Sequence, residues 1–125
     1  MNAILILSRD PSVIMMYQKL AKRLNVQVVW RPSPAKPLPD MPVLADADSS
    51  PCNPNEREVL VAELCAHAAI APTACFGYHL QAKQRVAMAN AGVVVAHGPG
   101  RILLRTLASW GALEPKDAVL EPDAE

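Results

Sequence analysis

The sequence predicts an α/β fold, a three-layer sandwich with a parallel sheet between helices, and three observations carry that prediction. Five short runs of branched and small apolar residues recur between Ala3 and Ala96. Amphipathic helical stripes stand between most of them, as in βαβ chains. Asp-Pro, Asn-Pro and glycine punctuation separates the two kinds of segment.

Ala3-Ile4-Leu5-Ile6-Leu7 is unbroken by any polar residue, the pattern of a parallel strand buried on both faces. Asp10 before Pro11 predicts a helix start, because the carboxylate accepts orphan N–H groups and proline has none to satisfy. Val13, Tyr17, Leu20 and Leu24 then form one helical stripe, with Lys19, Lys22 and Arg23 toward solvent and the C-terminal end. Val26–Trp30 reads as the second strand and Val43–Asp46 as the third. Asn53, Pro54 and Glu56 open a second helix that presents Leu60, Val61, Leu64, Cys65 and Ala68 to the core. Thr73–Phe76 is the fourth strand. A helix from Leu80 through Met88 stops at Gly92, whose freedom at positive φ suits a C-terminal cap. Val93–Ala96 is the fifth strand, and His97-Gly98-Pro99-Gly100 leads into a last helix with Ile102, Leu103, Leu107 and Trp110.

Right-handed crossovers and five strands predict the flavodoxin-like order 2-1-3-4-5. The second crossover lacks its helix. Pro32, Pro34, Pro37, Pro39 and Pro42 impose an extended loop, and twelve such residues reach roughly 37 Å, enough to pass β1. The sheet face left bare is expected to be covered by Leu38 and Met41 or to stand open to a partner.

The 125 residues, 51% hydrophobic and 19% charged, suit one folded domain and exclude a disordered or highly charged chain. From Glu114 to Glu125 five acids face one lysine, so that segment carries −4; residues 1–113, with eleven bases and seven acids, carry +4. The expected organisation is a domain over 1–113 and an acidic, disordered tail over 114–125. No apolar run is long enough to span a bilayer, the first residues lack a basic, cleavable leader, and Cys52, Cys65 and Cys75 form no C-x-x-C pair. A cytoplasmic setting without membrane association is the expectation. Aromatic content of 4% and modest body charge argue against nucleic-acid binding.

Leu5-Ile6-Leu7 leading into Asp10-Pro11-Ser12-Val13, set in this layout, resembles the receiver domain of bacterial response regulators over residues 1–113. Phe76-Gly77-Tyr78-His79 and Asn90-Ala91-Gly92 also resemble small, degenerate receiver-like proteins. The resemblance implies an aspartate at the end of β3 that accepts a phosphoryl group, Mg²⁺ held by acids after β1, a hydroxyl after β4 and a lysine after β5. Carried over, the acidic pair falls on Ser8 and Arg9, with Asp10 beyond. The phosphoacceptor falls on Asp46 or Asp48, the hydroxyl on Gly77 and the lysine near His97. A guanidinium where a metal ligand belongs opposes Mg²⁺ by charge and by the lost oxygen. Without the metal, the charge of phosphoryl transfer is not neutralised.

The expected reading is therefore a pseudo-receiver with no catalytic residues, no cofactor and no metal, acting by protein–protein interaction in bacterial signal transduction. Arg9 is expected to pair with Asp46 or Asp48. A candidate anion site combines Arg9, Gly98, Gly100 and Arg101 at a helix N-terminus. A candidate surface for a protein partner or homodimer includes Arg85, Arg101, Arg105 and Trp110. Other readings are an atypical phosphorelay receiver using Asp46, an anion sensor, and a Cys75–His79 nucleophile or Cys/His metal site drawing in His97. His67 is expected at the surface or half-buried, and Cys65 and Cys75 as packing residues.

Overall fold

The computed structural model describes residues 3–23, 26–32, 38–49, 53–98 and 102. They form β1 (Ala3–Leu7), α1 (Pro11–Arg23), β2 (Gln27–Arg31), β3 (Val43–Asp46), α2 (Pro54–His67), β4 (Thr73–Phe76), α3 (Ala82–Ala91) and β5 (Val94–Ala96). All neighbouring strands pair in parallel, in the order β2-β1-β3-β4-β5. This is the flavodoxin-like α/β arrangement that the strand and helix alternation predicts.

Alternation along the strands sends side chains to two separate cores. On one face Ile4, Ile6, Leu44, Ala74 and Phe76 pack against Val13, Ile14, Tyr17 and Ala21 of α1, with Tyr17 and Phe76 meeting edge-to-face at 6.3 Å. On the other, Leu5, Leu7, Val43, Ala45 and Cys75 pack against Leu60, Val61 and Leu64 of α2 and Met88 of α3. Leu38 and Met41 lie against this second core, so the end of the proline strap covers sheet surface that a crossover helix would otherwise take. Leu5 N–H donates to the Pro42 carbonyl at 2.9 Å, fixing the strap beside β1.

Three element starts shift from the sequence expectation, each because a helix end claims the residue first, and β2 also runs one residue past the expected Trp30, to Arg31. Val26 gives its N–H to Ala21 at 2.8 Å, closing α1, so β2 begins at Gln27. Val93 likewise donates to Met88 at 2.9 Å around Gly92, which sits at φ +98, and β5 begins at Val94. Gln81 is capped by the Gln84 side chain at 2.9 Å, so α3 starts at Ala82, while Leu80 before it is buried. Cys65 of α2 and its C-cap Ala68 are only partly buried, whereas His67 is buried and bonded through Nε2 to the Met41 carbonyl at 2.8 Å. That corrects its expected surface placement: a ring nitrogen ties α2 to the strap. The 114–125 segment and most of the residues expected to form the last helix lie outside the described residues. Among those described, no helix is long and apolar enough to cross a membrane.

Candidate functional site

Parallel strands put all their C-terminal ends on one edge, and the sequence-derived positions Ser8, Arg9, Asp10, Asp46, Asp48, Gly77 and His97 gather there because each follows or ends a strand. Asp46 is the last residue of β3 and is 2% exposed. Its Oδ2 accepts from the hydroxyls of Ser8 at 2.8 Å and Ser49 at 2.5 Å. Its Oδ1 accepts from the N–H groups of Asp48 at 2.9 Å and Ser49 at 3.1 Å. Four donors and no acceptor are what a carboxylate takes. Ser8, fully buried, accepts from Asp10 N–H at 3.1 Å, and Ser49 Oγ accepts from Arg9 N–H at 3.0 Å. The two serines thus knot the β1–α1 loop to the turn after β3.

Arg9 does not meet Asp46. It is exposed, and its Nε donates to the Pro32 carbonyl at 3.2 Å. The expected ion pair gives way because buried hydroxyls already satisfy the carboxylate, sparing a guanidinium the cost of desolvation. Beside Arg9, the Trp30 indole N–H donates to the Ser8 carbonyl. Asp10 is committed elsewhere: its Oδ1 accepts from Ser12 Oγ at 2.7 Å and Ser12 N–H at 2.9 Å, capping α1. The hydroxyl and amide of Ser12 hold Asp10 below the ordinary carboxylate pKa.

Asp48 serves the next loop. It accepts from Tyr78 N–H at 2.9 Å, His79 N–H at 3.0 Å and His79 Nδ1 at 2.8 Å. Burial works against its ionisation, but the two amides and the imidazole outweigh it and hold the pKa below the ordinary value. Gly77 keeps this approach close: a Cβ there would lie 3.1 Å from both Ala47 Cβ and Asp48 Oδ1. Hence the position where the resemblance implies a hydroxyl carries no side chain, and the space is taken by the turn.

Arg85 was expected on an interaction surface. It turns to the sheet instead, Nη1 donating to Ala96 at 3.3 Å and Nη2 to the Gly77 carbonyl. It fastens the ends of β4 and β5. His97 is exposed; Gly98 is buried beneath the Tyr78 phenol, where a Cβ would collide. Gly100, Arg101, Arg105 and Trp110 lie outside the described residues, so the rest of the anion site and of the expected interface does too.

The Mg²⁺ that the resemblance implies does not fit these donors. Asp46 and Asp48 have both oxygens engaged by different partners, Asp10 turns Oδ1 to the α1 cap, and Ser8 and Arg9 stand where acids would converge. Among the described residues no three His, Cys, Asp or Glu side chains group to hold a metal ion. Cys75 is fully buried; burial, with Asp46 adding to it, pushes its thiol pKa far up, and His79 is bonded to Asp48. That pairing opposes a Cys75–His79 nucleophile.

Ser49 is the member of the site that sequence reasoning missed. An aspartate two and three residues before the amides it accepts is an Asx-type turn, and Asp46-Ala47-Asp48-Ser49 carries that signal. No family model matches the chain, and no curated protein does.

Proposed function

We propose that the chain is a receiver-like, non-enzymatic interaction module of bacterial signalling or regulation, which acts in the cytoplasm on a protein partner without Mg-dependent phosphorylation. The observation that carries this reading is the saturation of Asp46. Its four hydrogen bonds occupy both oxygens and weaken them as nucleophiles toward a phosphoryl donor, and it is 2% exposed. The acids that would bring a cation to it are a buried serine and an outward-turned arginine. What a receiver gains transiently by phosphorylation, a single arrangement of the loops after β1 and β3, is here built in by Ser8 and Ser49.

Incubation with a small acyl-phosphate donor and Mg²⁺, read by intact mass, tests the proposal. An unchanged mass is expected. An added phosphoryl group that Asp46→Asn abolishes would instead make the chain an atypical phosphorelay receiver.

A further inference from the structure

β2 ends the sheet, and its outer side meets no strand among the described residues. Gln27–Arg31 carries no proline, no lysine and no bulge, since all five residues stay in register with β1. Those are among the usual devices that keep an edge from pairing, and the one charge the strand carries, Arg31, stands at its end. The register also shows which backbone groups face out. Ser8 N–H donates to the Arg31 carbonyl at 3.1 Å, so Arg31 turns its backbone inward. Successive strand residues alternate, so Gln27 and Val29 turn inward as well. Val28 and Trp30 then present two N–H and two C=O groups to the outside.

We propose that this edge pairs with the same edge of a second copy, antiparallel about Val29, to make a continuous ten-stranded sheet. The register is the one the sequence makes self-complementary. Val28 lies opposite the partner copy's Trp30 as a hydrogen-bonded pair, and two-fold symmetry repeats it, using all four outward groups. Val29 faces its own copy across the axis. Gln27 faces Arg31 at each end, so no like charges oppose.

The side chains suit this pairing. Val28 and Val29 are partly buried, each on a different face. Trp30 is 48% exposed yet held in place by its indole bond to the Ser8 carbonyl, so an ordered aromatic surface is ready for the opposing valine without further loss of rotamer freedom. This inference does not rest on the reading of Asp46.

Gln27 is exposed and outside both cores, which makes it the test position. Sedimentation equilibrium of the full chain from micromolar to millimolar concentration should show a monomer–dimer equilibrium. Gln27→Glu places a carboxylate opposite each Arg31 and should tighten the dissociation constant by about two- to thirty-fold. Gln27→Arg should weaken it by a similar factor, and both effects should shrink with added salt. Amide exchange at Val28 and Trp30 should slow as concentration rises. A monomer throughout, or a dimer indifferent to residue 27 with those two amides unprotected, would overturn the proposal.

Discussion

Two aspartates two residues apart on the same edge of the sheet end in opposite circumstances. Asp46 is buried and answered wholly by hydroxyls and amides; Asp48 is partly exposed and answered by two amides and the imidazole of His79, itself 70% exposed. The difference is one of purpose. Uncharged donors of fixed position let a carboxylate sit in the core without a counter-ion and without a metal, provided every lone pair is met. Near solvent the same group needs no such enclosure, and it serves as a bracket for the β4–α3 loop. Asp46 is therefore a keystone of two loops, and Asp48 a tie for a third.

Truncation should separate the two most strongly. Asp46→Ala takes the acceptor from two amides and leaves the buried Ser8 hydroxyl only Ser49 Oγ, 3.1 Å away, and should cost about 2–4 kcal/mol in urea unfolding. Asp48→Ala leaves its donors near water and should cost about 1 kcal/mol. Equal losses would break the comparison.

Acid should show a smaller effect that belongs to the outer carboxylates. Asp48 and Asp10 have folded pKa values below their unfolded value of about 3.9. Their contribution is thus fully present above that value and is lost as pH falls through the lowered folded values. Melting temperature should fall below about pH 4, and Asp48→Asn or Asp10→Asn should each flatten that limb. A limb unchanged in both variants would remove these two groups as its source.

Most of the fold is legible in the sequence because its signals are local. An unbroken apolar run locates β1 to the residue, as short apolar runs bounded by Asp46 and Thr73 do β3 and β4, and Asn53-Pro54 marks the start of α2. The element starts that slip, at Val26, Leu80 and Val93, are those where a capping interaction competes with a strand or helix residue. The site is legible only as a set of positions. That Ser8 and Asp46 share an edge follows from topology, but which partner Asp46 takes depends on distances between loops 38 residues apart. Charge alone favours Arg9 as that partner; enclosure decides for Ser8 and Ser49, since a hydroxyl is cheaper to bury than a guanidinium. Arg85 misleads for a similar reason. The sequence offers it as part of a partner surface, and only the nearness of the Ala96 and Gly77 carbonyls turns it inward.

The amides of Asp48 and Ser49 donate directly to Asp46, which makes them reporters of that carboxylate. Titration of the protein with millimolar Mg²⁺, followed by the ¹H–¹⁵N shifts of these two amides, tests the central claim most directly. Shifts that stay in place across the titration are predicted. A saturable movement of both, lost in Asp46→Asn, would show an oxygen free to take the ion and contradict the account.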